Sequence, residues 1–595
     1  MWRFFYFLIF STITFYSRAQ TTRVELLNSV PSQKMARGLG VNVHSADHLV
    51  FAKDLGATEV RAQFAWVAAE DPYKNLKLHS KWKLYLDKCK ELGLNPLIVA
   101  GYGSPYFQVA DIIVSKDTEE GSLEIPVCLT TKQTNFKLQP PYDLVSLEHR
   151  SDLADGKIGI VEKGSSYAGS LVKKSVPSNI KCPSNTIALN LNFYSPTRFN
   201  LPVNTPLRVH RYLYNPPLTN DENDPSVKAY VRYVNYLANE MYSRGLSGRV
   251  EIWNEPIWVN DMWDSLGCFD PSSKCLSPNY GFAKALLKQR PKGKIRFQWG
   301  GTHKSGFSSI LGKGVGRVVN KDEILNSLVS ESFHPYGPTP EWHAWDPKCI
   351  VNPQTSNIFE QCLQPGTNAT SNFKWAAALA EKNKIAKGWT INQNISEIGI
   401  WTANERIRTR YSLRAYLTYM GLGYENVNFY TLIDKKNEGY SFSLIDDETK
   451  KPSEAFYALK NLINKFKTLP EKSLNTPGDI PAVKSYTGQW PLMIVPVVGR
   501  KSSREKVDTV QMFLWQRTYP NSIDDSKTVG DTFDTVWQNL PSPKPGTVTL
   551  TTKNTKTVKA WRTIDWIEIP IKKINDLEYQ LGVQEDPIIV EFSPN

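Results

Sequence analysis

The run Val250-Glu251-Ile252-Trp253-Asn254-Glu255-Pro256 sets a carboxylate between an apolar β-type stretch and a proline. Proline cannot donate to a ladder, so the chain must leave the sheet there, and Glu255 is expected at the C-terminal tip of a strand. A second run, Asn394-Ile395-Ser396-Glu397-Ile398-Gly399-Ile400-Trp401, closes another apolar strand on a carboxylate. Glycosidic-bond cleavage needs two such groups. A protonated one gives its proton to the leaving oxygen, and an ionised one attacks the anomeric carbon. Like charges held close together raise one pKa and keep the two roles apart. A single Glu at a strand end reads most simply as a salt-bridge partner, and it is the pair that points to chemistry.

The elements that must carry this pair follow from hydrophobic periodicity. Short apolar runs at 38–44, 58–66, 96–101, 249–253, 295–300, 332–336, 390–397 and 426–432 read as strands. Between them, amphipathic segments at 46–55, 81–92, 226–244, 279–289, 321–329, 373–387 and 406–420 read as helices, followed by a last helix at 453–466. In 81–92 the residues Trp82, Leu84, Tyr85, Leu86, Cys89 and Leu92 cluster on one side, and Gly93 stops the helix. Eight strand–helix units predict an α/β fold, a (β/α)8 TIM barrel. Glu255 and Glu397 then sit on strands four and seven, at the end where barrels build their sites.

Two segments interrupt the alternation. Residues 108–206 are Thr/Ser-rich, with β-like runs at 158–161 and 186–193, and read as a β-rich insertion after strand three. Residues 338–366 form a shorter loop after strand six. Beyond 467, strand-like runs at 493–498, 509–515, 547–551, 561–570 and 588–592 predict a C-terminal β-sandwich domain over 467–595, and residues 21–27 are expected to add a strand to it. The catalytic barrel would span 20–466.

This constellation resembles glycoside hydrolase clan A, the retaining (β/α)8-barrel glycosidases. The resemblance covers about residues 38–466 in motif order, and its shape is similar to families 5 and 39. It implies that Glu255 is the acid/base and Glu397 the nucleophile, with Asn254 on the sugar 2-hydroxyl. It implies that Arg61 on strand two supports Glu397, since a neighbouring guanidinium favours a charged carboxylate. His334 and Tyr336 close strand six, where clan members carry His or Tyr and the Tyr donates to the nucleophile; His334 also reads as a satisfied core histidine. Trp66, Trp401 and Tyr430, at or near the ends of strands two, seven and eight, are candidates for stacking on sugar faces and equally for core packing. His44, ending strand one, is a further ligand candidate.

The activity so implied is that of a glycoside hydrolase cleaving the O-glycosidic bonds of a β-linked oligo- or polysaccharide by double displacement, with carboxyl groups about 5–5.5 Å apart. A catalytically inactive carbohydrate-binding protein and a transglycosylase are the alternatives on the same scaffold. The exit of strand three, Gly101-Tyr102-Gly103-Ser104-Pro105, lacks the His that some clan families carry, and the insertion is unusual.

The remaining sequence bounds compartment and partners. Residues 1–19 read as a signal peptide, with Arg3 before an apolar run and Ser17-Arg18-Ala19 before a cleavage point at Gln20. The chain is then expected to be secreted, or held in a lysosome-like compartment. Of seven Cys, three local pairs are disulfide candidates there: Cys128 with Cys182, Cys268 with Cys275, and Cys349 with Cys362, leaving Cys89 free. Asn368-Ala369-Thr370 is a glycosylation acceptor, whereas Asn394-Ile395-Ser396 lies in a strand pattern and is expected to be silent. The formal charge of +13 comes without a Lys/Arg-rich block, which disfavours a nucleic-acid partner. No phosphate loop or metal-ligand set appears, so no cofactor is expected. The expected partner is a carbohydrate substrate, with no membrane contact after signal cleavage and the oligomeric state left open. The 17 Trp make flat apolar surfaces a theme of the chain.

Overall fold

The computed structural model describes residues 24–69, 76–101, 108–130, 143–147, 167–175, 186–193, 200–211, 221–254, 282–300, 329–341, 393–434, 442–468, 481–500, 508–517 and 544–594, apart from short breaks within these spans, together with Cys182. Several expected features lie outside the described residues. They are the signal segment, Glu255, Trp401, Asn368, the pairs Cys268/Cys275 and Cys349/Cys362, the 158–161 run and the 373–387 helix, with most of the 279–289 and 321–329 helices.

Eight strands form a closed parallel barrel: β1 (Leu39–Asn42), β2 (Glu59–Ala65), β3 (Asn95–Gly101), β4 (Gly248–Ile252), β5 (Ile295–Trp299), β6 (Val329–Phe333), β7 (Gln393–Ile398) and β8 (Val427–Phe429). Each pairs with the next, and β8 closes on β1 through Val427 opposite Leu39. Alternation explains the layering. Val60, Ala62 and Phe64 of β2, Val250 and Ile252 of β4, and Phe297 and Trp299 of β5 belong to one apolar core with the surrounding helices. The opposite parity turns polar groups into the barrel interior: Asn42, Glu59, Arg61, Arg249, Glu251, Gln298, Ser332, Asn394, Ser396 and Asn428, all buried. Gly40 is required there, because a Cβ at that position would lie 2.0 Å from Asn428 Oδ1.

The described helices of six residues or more are α1 (Ser32–Arg37), α2 (Leu49–Leu55), α3 (Ser80–Leu92), α4 (Pro225–Ser243), α5 (Glu405–Leu422) and α6 (Glu454–Lys467). Asp224, Asn404 and Ser453 cap the last three by accepting backbone N–H groups, and left-handed Gly56, Gly93 and Gly423 end α2, α3 and α5. Among the described residues no helix is long and apolar enough to cross a membrane.

The expected strand at 332–336 is displaced to Val329–Phe333, because Pro335 cannot continue the ladder and the strand must end before it. Trp66, expected to end strand two, instead begins the short helix Trp66–Ala69.

The insertion after β3 is a closed six-stranded antiparallel barrel: Gln108–Val114, Glu124–Thr130, Asp143–Leu147, Tyr167–Ser175, Thr186–Phe193 and Pro206–Arg211. A Cys128–Cys182 disulfide joins chain positions 54 residues apart within it. Cys89 is a buried free thiol in α3, and burial pushes it up from its ordinary range.

Among the described residues the C-terminal region is β-rich, with two sheets. The larger one runs through Val24–Leu26, Leu492–Arg500, Asp508–Gln516, Ile588–Pro594, Thr555–Arg562 and Glu568–Ile569, with Val24–Leu26 lying parallel to Leu492–Ile494. The smaller joins Ala482–Thr487, Gly546–Thr551, Glu578–Val583 and Lys572–Asn575. The expected strand at 561–570 is broken by a turn in which Trp566 takes a left-handed φ of 57°. Leu492, Ile494, Met512 and Leu514 face the smaller sheet's core, while Met493, Val495, Phe513 and Trp515 join the barrel's core. A sheet buried on both faces needs apolar side chains at every position, which is why this segment reads as a continuous hydrophobic run.

Candidate active site

Two departures from regular strand geometry shape the mouth of the barrel. Between Ile395 and Ile398, β7 advances three residues while β8 advances two, from Val427 to Phe429. That extra residue is a β-bulge. Asn394 and Ser396 already face inward by alternation, so without the bulge Glu397 would face the helices. With it, Glu397 turns inward as well and meets Arg61. Just beyond β4, Trp253 adopts φ 63°, a conformation costly for a bulky residue, and Asn254 after it also meets Arg61. Trp253 itself is buried against Tyr230.

Arg61 is the hub. Its Nε donates to Glu251 Oε2 at 2.6 Å, and its Nη2 donates to Asn254 Oδ1 at 2.7 Å. Its Nη1 donates to Asn42 Oδ1 at 3.0 Å and to Glu397 Oε1. Burial alone would lower the guanidinium's pKa, but Glu251 and then Glu397 more than reverse this and hold it above its ordinary value. The planar fork is what lets one side chain hold four partners from three other strands or strand ends.

Glu397 is bound on both oxygens, because Tyr336 Oη donates to Oε2 at 3.2 Å. His334 is fully buried, with Nδ1 3.7 Å from Glu397 Oε2 and Nε2 2.8 Å from Ser396 Oγ. The Ser396 hydroxyl donates to Glu251 Oε1 at 3.0 Å, so in the His334–Ser396 bond the imidazole supplies the N–H. A lower layer repeats the theme below the mouth: Arg249 donates to Glu59 and Asn394, and to Asn426 at 3.1 Å. Glu251, Asn42 and Ser396 were not singled out from sequence. Their signal was polar residues at every second position of otherwise apolar parallel strands.

One wall of the mouth is aromatic. Tyr336 and Tyr430 each meet Phe442 edge-on, at 6.0 Å and 5.6 Å, and Tyr430 meets His44 at 6.2 Å. Tyr336, Tyr430 and Phe442 are half-buried, as groups facing a cleft would be. His44 stands at the foot of this wall, its ring edge-on to Tyr430. Desolvation in the concavity, then Arg61 and His48, push its pKa down to about 4, so the ring is neutral at neutral pH. Trp66 must be reassigned. It is fully buried, stacked on Tyr233 at 5.9 Å and tilted against Tyr230 at 5.2 Å, so its faces are spent on packing and none is open to a sugar. Among the described residues no three His, Cys, Asp or Glu side chains converge as metal ligands would.

No family model matches the chain, and no curated protein matches it in sequence. Several solved structures are similar in outline. One is a family 39 glycoside hydrolase from the gut symbiont Bacteroides cellulosilyticus WH2, at 13% identity over 94% of this chain and 82% of that one, with a TM-score of 0.47. Another is a GH30 endoxylanase from Clostridium papyrosolvens C71, at 9% identity over 96% and 98%, with a TM-score of 0.40. A GH5_18 protein from Bifidobacterium longum subsp. longum ATCC 55813 matches at 11% identity over 73% and 79%, with a TM-score of 0.35. At such values the likeness is one of outline, and the chemistry of the mouth rests on the chain's own residues.

Proposed function

We propose that the chain is a secreted retaining glycoside hydrolase acting on β-linked oligo- or polysaccharides, with Glu397 as nucleophile and Glu255 as acid/base. One observation carries the reading: Arg61 ties Glu397 to Asn254 at the C-terminal mouth of the barrel, while Tyr336 holds the second oxygen of Glu397. Glu255 follows Asn254 directly in the chain.

In this reading a Glu397 oxygen attacks the anomeric carbon as the glycosidic C–O bond breaks, and Glu255 gives its proton to the leaving oxygen. Water then attacks the glycosyl-enzyme, Glu255 takes the water's proton, and the ester to Glu397 breaks with net retention. Arg61 occupies Asn254 Oδ1, which leaves the Asn254 amide N–H groups to donate to the sugar 2-hydroxyl. The aromatic wall of Tyr336, Phe442 and Tyr430 supplies apolar surface for a sugar face. The domain limits that accompany this reading are a signal peptide at 1–19, a catalytic barrel at 20–466 and a C-terminal β-region at 467–595.

The test is hydrolysis of a panel of aryl β-glycosides and β-glycans by the wild type and by Glu397→Ala. Turnover by the wild type that falls by about 10⁴-fold in the variant supports the assignment. Equal turnover by the two would overturn it.

A further inference from the structure

Glu341 lies in the loop that leaves β6, five residues beyond Tyr336. Its side chain is wholly buried. Arg414 of α5 donates to it bidentately, Nε to Oε1 at 2.7 Å and Nη2 to Oε2 at 2.6 Å. Trp515, from the larger C-terminal sheet, donates its indole N–H to Glu341 Oε1 at 2.8 Å. Glu341, Arg414 and Trp515 are all wholly buried. The residue beside Glu341 is held as well, since Tyr419 of α5 donates to the Pro340 carbonyl at 2.9 Å.

An enclosed ion pair is a poor device for stability alone, because apolar side chains of the same volume would serve at least as well. What it fixes is position. Two oxygens with three N–H donors admit one placement of the Glu341 carboxylate, and hence of the chain attached to it. That chain begins at β6 and carries His334 and Tyr336, the two groups set against Glu397 Oε2.

From this geometry we infer that Glu341 is a positioning residue, and that Trp515 of the C-terminal region, through it, sets Tyr336 against Glu397. The C-terminal sheet is then part of the active-site support rather than a detachable appendage. The inference rests on the proposed role of Glu397, so its test includes one arm that needs no substrate.

Trp515→Phe removes the indole N–H together with part of the ring, while Glu341→Gln keeps the volume and removes the charge. Hydrogen exchange is measured on peptides spanning 329–341 in the full chain. Both variants should exchange faster in that segment, with the strands β2 and β4 unchanged. In kinetics, Trp515→Phe should lower kcat by about tenfold or more with KM little altered. In a Tyr336→Phe background the same change should cost less than about twofold, because the group it positions is gone. Unchanged exchange in 329–341 for a folded variant, or kinetic losses that add in full with Tyr336→Phe, would overturn the inference. If no glycoside is turned over, the exchange arm still decides it, and only the hydrolase reading fails.

Discussion

Arg61 Nε and Glu251 Oε2 lie 2.6 Å apart in the middle of the barrel, and the same guanidinium reaches Glu397 at the mouth. One cation thus serves two carboxylates, one sealed from solvent and one at the opening. Counted formally, the trio carries a surplus negative charge. That sign suits a site where an oxocarbenium-like transition state develops positive charge. Glu251 makes the arrangement rigid, because it grips the Nε end of Arg61, which in the proposed mechanism keeps the guanidinium in place when Glu397 is esterified.

Glu251→Gln should therefore injure both stability and rate. Removing one member of a buried pair typically costs about 3–5 kcal/mol. The Glu251 side chain is wholly buried, and it also accepts from Ser396. Denaturant unfolding of the folded variant checks the first effect. A lower kcat at temperatures well below its unfolding midpoint checks the second.

Tyr336→Phe separates chemistry from folding. The lost hydroxyl donates to Glu397 in a half-buried position, where a bond to a charged group is worth about 1.5–3 kcal/mol. Turnover should fall by about 10- to 100-fold. The unfolding midpoint should move little, since the ring and its edge contact with Phe442 remain. Steady-state kinetics beside a thermal melt gives both numbers.

His44 predicts an acid limb in stability. Its pKa is pushed down to about 4 from the ordinary 6.5, so between those values the unfolded chain binds more protons than the folded one. The stabilisation from keeping this ring neutral is complete above pH 6.5 and is lost as pH falls toward about 4. His44→Gln removes that dependence. Melts should show the wild type losing stability relative to the variant as pH falls through the window, with a constant difference between the two above it. A separation independent of pH from 4 to 8 would contradict the lowered pKa of His44, which desolvation and then the Arg61 and His48 charges produce.

Much of this was legible in the residues. The eight-strand alternation, the insertion and the β-rich C-terminal region were each expected from local pattern, the Arg61–Glu397 pairing was expected from the resemblance to glycoside hydrolase clan A, and the Cys128–Cys182 bridge was among the expected pairs. What escaped had physical causes. Val329 looked like the end of a helix because a short buried run has no period of its own, and only Pro335 marked where the strand must stop. Trp66 sat at the right strand end, but sequence does not reveal that Tyr230 and Tyr233 of α4 enclose it. Glu251 stood in plain view four residues before Glu255 and was passed over, because its partners Arg61 and Ser396 are 190 and 145 residues away in sequence. Glu341 was hidden for the same reason, with Arg414 and Trp515 brought to it only by the fold.

The central claim is that Glu397 forms the covalent bond to sugar, and trapping tests it most directly. A panel of activated 2-deoxy-2-fluoro β-glycosides, which slow breakdown of the glycosyl-enzyme, is incubated with the wild-type chain, and the digested protein is mapped by mass. One sugar should appear per chain, on the peptide that carries Glu397, and it should be absent from Glu397→Ala. A sugar found on the peptide carrying Glu251 and Glu255, or hydrolysis of the parent glycosides that inverts the anomeric centre with no adduct, would contradict it.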